Sequence, residues 1–193
     1  LLRWGRALWR LSSYDAAEER LREAHRSAAA GGFATVEADS LRTLGSIALL
    51  RGSMQHARAC FDGALAIYRR TGDRKGEGTA LNNLGIVEQA AGSYGEAGCR
   101  YEQALSIFRE IGERRGECRA LEALGDVCAD VGRIEEAHAR ALEVLQTSRE
   151  IRDRQTEFWS LSHLAILESE RGDAARAEGL GRQALELSRA MSA

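Results

Sequence analysis

Glu122, Asp126 and Asp130 follow one another at every fourth position. On a helix this spacing places three carboxylates in one row. Like charges so placed repel by roughly 0.2–0.5 kcal/mol per pair, so the row must face cations or water. Its functional reading is an acidic wall for a basic peptide segment. Its structural reading is pairing with arginines such as Arg119 or Arg154. A divalent ion fits poorly, because one straight helix does not wrap enough oxygens around it. His56 and Cys60 stand at i and i+4 and could supply two metal ligands, but no third is evident and a structural role is preferred. His25, His138 and His163 have no Ser or Cys arrangement that reads as a triad. The glycines are spread along the chain rather than gathered into a phosphate loop. The residues therefore predict no catalytic machinery, no metal and no cofactor.

The elements that position these residues repeat. Leu41-x-x-Leu44-Gly45 returns as Leu81-x-x-Leu84-Gly85 and Leu121-x-x-Leu124-Gly125, and Leu161-x-x-Leu164-Ala165 follows with one change, at a constant spacing of 40. Leu1-x-x-Trp4-Gly5 stands in the same register, as do Ala17, Ala57, Ala97, Ala137 and Ala177. A period of this length is the mark of a solenoid of stacked supersecondary units. The repeats fall at about 1–33, 34–73, 74–113, 114–153 and 154–193 as one array.

Bulk properties narrow the partners. Charged residues make up 29% of the 193 and the formal net charge is −2, so no global basic field recruits nucleic acid. No apolar run is long enough for a membrane span. Cys60, Cys99, Cys118 and Cys128 form no C-x-x-C pair and read as reduced thiols of a cytoplasmic protein. Lys75 is the only lysine among many arginines, a composition that suggests a GC-rich bacterial genome. The chain opens without Met, inside a repeat, and so reads as a fragment of a larger protein. Its ends, Leu1, Leu2 and Trp4 on one side and an uncapped last helix on the other, are expected to be apolar edges open to self-association.

Within a repeat, residues 74–113 show the pattern. Ala80, Leu81, Leu84, Val87 and Ala91 have helical spacing, as do Tyr94, Ala97, Tyr101, Ala104, Leu105 and Phe108. Gly92 and Ser93 between them predict a C-terminal cap and an N-cap, with Glu96 completing a capping box. The expected helices are 13–30, then pairs near 34–51 and 53–70, 74–91 and 93–111, 114–131 and 133–151, and 154–171 and 173–190. Gly45, Gly85 and Gly125 should let the second helix of each unit approach the first. Phe61 and Tyr101 should fill the space between units, whereas Ala141 and Gly181 at the equivalent positions predict looser packing.

These residues resemble the tetratricopeptide repeat. Repeat three supplies Leu81, Leu84-Gly85, Gly92, Tyr94, Ala97, Tyr101 and Ala104-Leu105 of that pattern; repeats two and four follow with Leu41, Leu44-Gly45, Gly52, Met54, Ala57, Phe61, Ala64-Leu65 and with Leu121, Leu124-Gly125, Gly132, Ile134, Ala137, Val144-Leu145. The chain departs from the common form in having no proline and a period longer than the usual ~34. That long form is similar to repeats of kinesin light chains, of G-protein-regulatory spindle-orientation proteins and of bacterial ATPase-type transcriptional regulators. The resemblance implies an all-α, right-handed superhelical solenoid of helix-turn-helix repeats.

It also implies that the first helix of each repeat, helix A, lines a concave groove. Candidate partner-binding residues are then Arg42 and Ser46 in repeat two, Asn82 and Asn83 in repeat three, Arg119, Glu122, Asp126 and Asp130 in repeat four, and Trp159 and His163 in repeat five. Some family members grip a peptide carboxylate with Lys and Asn on helix A. Arg42, Asn83 and Arg119 fall on or near three such positions, but Ser46 and Ala123 break the set. The expected function is a non-enzymatic scaffold that binds a peptide, a protein domain or a neighbouring domain of the same protein, with no nucleic acid or membrane contact. The alternative is a sensor or regulatory segment of a multidomain bacterial signalling ATPase or transcriptional regulator.

Overall fold

A computed structural model describes the backbone of residues 2–192 and the side chains of residue 15 and residues 18–191. The expected leading edge of Leu1, Leu2 and Trp4 lies outside the described side chains. The described residues form nine α-helices and no strand: α1 Leu2–Gly31, α2 Ala34–Leu50, α3 Met54–Thr71, α4 Arg74–Ala90, α5 Tyr94–Glu110, α6 Arg114–Asp130, α7 Ile134–Glu150, α8 Arg154–Glu170 and α9 Ala174–Ser192. No helix among them is long and apolar enough to cross a membrane.

The turns explain the boundaries. Gly32, Gly52, Gly72, Gly92, Gly112, Gly132 and Gly172 all have positive φ, and Arg152 takes the same place with φ 56°. A left-handed residue thus ends a helix at every twentieth position. The closure recurs: Ser53 N donates to Ala48 O at 2.8 Å after α2, Asp73 N to Tyr68 O at 3.0 Å after α3, and Glu113 N to Phe108 O at 2.8 Å after α5. This is the bonding of a Schellman motif, which satisfies carbonyls the helix end leaves open. The 40-residue sequence period therefore covers a 20-residue backbone period.

Two expectations are corrected. A break near residue 12 was expected, with a second helix over 13–30; α1 instead runs unbroken from Leu2 to Gly31. Ser12 stands where later repeats carry the left-handed glycine, and without that residue the helix has no reason to stop. The capping box at Ser93 and Glu96 is also absent, for Ser93 makes no side-chain cap bond. The caps are aspartates: Asp73 accepts from Gly76 N at 2.8 Å, Asp153 from Thr156 N at 3.2 Å and Asp173 from Arg176 N at 3.0 Å. The carboxylate reaches one bond further than a serine hydroxyl.

The chain forms two compact units, residues 1–91 and 92–193. In the first, α1 to α4 each pack on their neighbour in sequence, and α2 also touches α4. Phe61, fully buried, lies over Gly45, where an added Cβ would come within 2.6 Å of its ring. Tyr68 presses on Gly76 in the same way and donates its hydroxyl to Asp39 at 2.7 Å. Burying one such ring contributes about 1.5–3 kcal/mol. Glu88, almost fully buried, is held by Arg58 through two bonds, the second at 2.6 Å.

In the second unit α5 to α8 pack on their successors. Phe108 covers Gly116 as Tyr68 covers Gly76. At the next equivalent pair both partners change together, to Ser148 and Thr156. A core cluster joins Cys128, Ala137, Ala141, Leu145, Leu161, Leu164, Leu167, Ala184 and Leu187, with Phe158 packed against it. His138 Nε2 meets the buried Glu168 Oε1 at 2.9 Å, and Arg171 and Arg176 bind the same carboxylate at 3.1 and 2.9 Å. The last helix leaves Leu185 and Met191 exposed.

The connections from α3 to α4, α5 to α6 and α7 to α8 carry a recurring network. Arg69 and Arg74 bind Glu77 at 3.0 and 2.6 Å; Arg109 and Arg114 bind Glu117 at 2.9 and 2.7 Å; Arg149 and Arg154 reach Glu157 at 2.9 and 3.8 Å. The carboxylate is largely buried in each, and the two arginines hold Glu77 below the usual carboxylate range against the opposing effect of burial.

Candidate functional site

In the second unit the aromatic-over-glycine rule fails once. Gly125 is retained, but Ala141 stands where Phe61 covers Gly45. A Cβ added to Gly125 would meet nothing nearer than Arg140 Cβ at 3.6 Å. The result is a cavity of about 300 Å³ lined by Leu121, Glu122, Gly125, Asp126, Ala141, Val144, Trp159, Ser160 and His163. Helix α6 supplies its acidic wall, α7 its floor and α8 its aromatic rim.

The wall is electrostatically unsettled. Among the described residues, neither Glu122 nor Asp126 accepts a hydrogen bond, and His163 Nε2 lies 4.0 Å from Asp126 Oδ1. Burial first, then Asp126 and Asp153, push the Glu122 carboxyl from its ordinary 4.5 up to about 7, against the pull of Arg119. Asp126 is also raised, by burial and by Asp130, with His163 opposing. Ser160 donates to the Ala141 carbonyl at 2.9 Å, so its hydroxyl is committed to backbone rather than to His163. The arrangement can bind a cation and has no activated nucleophile.

Trp159 is 59% exposed. Its ring meets Phe158 edge-on, with centroids 5.1 Å apart and planes at 68°. Phe158 is the ring that packs inward, and Trp159 is left at the cavity rim.

The cavity thus brings together four of the ten expected residues: Glu122, Asp126, Trp159 and His163. Asp130 and Arg119 are exposed on the same helix but do not line it. In the first unit Arg42 is engaged with Asp39 at 3.6 Å, and Ser46 donates to Arg42 O at 3.1 Å within its own helix. Asn82 and Asn83 are half-buried, and Asn82 Oδ1 has no hydrogen-bond partner among the described residues. His56, Cys60 and the other candidate ligands form no group of three positioned for a metal among the described residues.

The helix pairs, the left-handed turn at every twentieth residue and the glycine-on-ring contacts can be set beside known proteins. A tetratricopeptide-repeat model matches residues 36–110, 77–150 and 116–190. The chain belongs to the tetratricopeptide-repeat family. BtubC (BKLC) from P. vanneervenii is similar over 95% of this chain and 76% of that one, at 18% identity and a TM-score of 0.82. A putative kinesin light chain with nearly identical TPR-like repeats from Podosopora anserina covers 93% of this chain and 97% of its own, at 17% identity and a TM-score of 0.64. PilF of Pseudomonas aeruginosa covers 79% and 61%, at 23% identity and a TM-score of 0.65. No curated protein matches the chain. These likenesses show the all-α repeat fold. Tetratricopeptide repeats are in general non-catalytic modules that bind other proteins, and the family supports a protein-interaction scaffold.

Leu121, Gly125, Ala141, Val144 and Ser160 complete the tetratricopeptide cavity without having been expected in it. A signal for the place, and for Ala141 among these five, exists in the repeats themselves. From repeat three to repeat four, Asn82 becomes Glu122, Ile86 becomes Asp126 and Tyr101 becomes Ala141; from repeat four to repeat five, Arg119 becomes Trp159. These four changes gather in one place.

Proposed function

We propose that this tetratricopeptide array is an interaction module that holds an extended segment of a partner protein against its helix A faces, with the principal site in the second unit. The observation that carries the reading is the convergence of Glu122, Asp126, Trp159 and His163, from α6 and α8, on one open cavity. An exposed tryptophan beside a recess is the usual form of an interface anchor. Preformed helices need little ordering on this side of the complex. Much of the polar surface is solvent-exposed, so affinity is modest and falls with salt.

The test is selection of binding peptides from a random displayed library, followed by affinity measurement on variants. Asp126→Arg weakens the selected peptides tenfold or more, and Asn83→Ala weakens those that contact the first unit. Ser106→Arg, on the exposed face of α5, leaves affinity unchanged. Loss at Ser106→Arg with full binding by Asp126→Arg moves the site to the second-helix surface and ends the groove reading.

A further inference from the structure

The cavity has a shape, a charge and an aromatic rim, and together they specify an occupant. At roughly 30 Å³ per water, its volume of about 300 Å³ is that of about ten water molecules, room for one long side chain. It exists because a ring is missing: where the ring is lost at Ser148, Thr156 grows to compensate, but opposite Ala141 the glycine is kept. Glu122, Asp126 and His163 line it, and the charges acting on these two carboxylates from outside the lining are Arg119 and Asp130 on α6 and Asp153 just before α8. Carboxylates outnumber cations, and the two that line the space accept no hydrogen bond among the described residues.

We propose that this cavity is the receptor for an arginine side chain carried by the partner segment. The inference rests on the groove reading above and names the chemistry of its partner. An acidic side chain is repelled here, and an apolar one strips water from Glu122 and Asp126 while giving nothing back. A lysine can pair with a carboxylate but has no planar face. A guanidinium has both: donors in a fixed fork for the carboxylates, and a flat cation for the ring of Trp159. Phe158 meets that ring at 68°, and Trp159 lines the cavity with 59% of its surface exposed. The raised Glu122 carboxyl adds that an entering cation expels a proton, so binding tightens from pH 6 to pH 8.

The experiment uses the whole chain and defined probes. Acetyl-Gly-Ser-Arg-Ser-Gly-amide is titrated while the indole N–H signal of Trp159 is followed by NMR, the signal being assigned by its loss in Trp159→Phe. The same peptide with citrulline or lysine in place of arginine, and spermidine, are titrated in parallel. The expected result is saturable binding of the arginine peptide near the millimolar range, at least tenfold weaker with citrulline and weaker with lysine. Glu122→Gln with Asp126→Asn lowers affinity tenfold or more, and Ala141→Phe abolishes it by filling the space. Equal binding of citrulline, binding that survives both sets of substitutions, or no shift at 20-fold above the millimolar range overturns the proposal. Spermidine binding as well as the arginine peptide assigns the cavity to a free amine and also overturns it. Library-selected peptides that depend on Asp126 but carry no required arginine would retain the groove reading and remove only this inference.

Discussion

Ala141 and Gly125 face one cavity from neighbouring helices, and between them they contribute a single methyl group. At the equivalent place in the first unit, Phe61 fills the space over Gly45. Replacing Ala141 by Phe should therefore restore a missing contact and stabilise the protein by about 0.5–2 kcal/mol. The reciprocal change, Phe61→Ala, should cost about 3–5 kcal/mol. Urea melts of the two variants check both signs. Destabilisation by Ala141→Phe would mean that the cavity does not have the shape of a ring.

Glu122 makes stability depend on pH. Its carboxyl titrates near 7 in the folded protein against an ordinary 4.5, so between those values the folded state binds the extra proton. Stability is then lost as pH rises from about 4.5 to about 7. Glu122→Gln should raise the melting temperature at pH 8 and leave it nearly unchanged at pH 5. An equal effect at both values would show that the carboxylate carries no such cost.

Arg152 is the one residue among the described turns that adopts positive φ without being glycine, at 56°. A left-handed conformation costs an L-residue roughly 1–2 kcal/mol, part of which glycine loses again through unfolded-state entropy. Arg152→Gly should stabilise the chain by about 0.5–1 kcal/mol in denaturant melts. A destabilised variant would reveal a contact of the arginine side chain that outweighs the strain.

Glu168 is buried and gathers His138, Arg171 and Arg176. Removing it in Glu168→Ala should cost about 1–3 kcal/mol, because the buried His138 ring loses its partner. Arg182→Ala, which breaks the exposed pair with Glu178, should cost less than about 1 kcal/mol. Similar losses for the two in thermal melts would contradict the difference in burial.

The fold was legible where residue type and backbone need coincide. Gly72, Gly92, Gly112 and Gly132 mark turns because only glycine takes positive φ at little cost, and Gly45 reads as a close approach of the second helix, although Phe61, expected between repeats, lies over Gly45 of its own repeat. Less legible was what depends on reach in three dimensions. Ser93 and Glu96 have the spacing of a capping box but do not form one, and Ser12-Ser13 resembles a turn that α1 passes through. Arg109, Arg114 and Glu117 also recur at the repeat period, yet their joining across a loop appears only when two helix ends meet. Ala141 was read as looser packing; that its loss of a ring opens a recess beside Glu122 and Trp159 needed the positions of three helices.

The central claim is that the helix A face of the second unit is the working surface. Photo-cross-linking tests it most directly. Ile166 on α8 and Leu142 on α7 are both exposed apolar residues, at 58% and 42%, and Ile166 lies on the same face of its helix as Trp159 and His163. A photoreactive benzoylphenylalanine is placed at one or the other, and a library-selected peptide is added. The account predicts a cross-link from position 166, suppressed by excess unlabelled peptide, and none from position 142. A cross-link from 142 alone would contradict it.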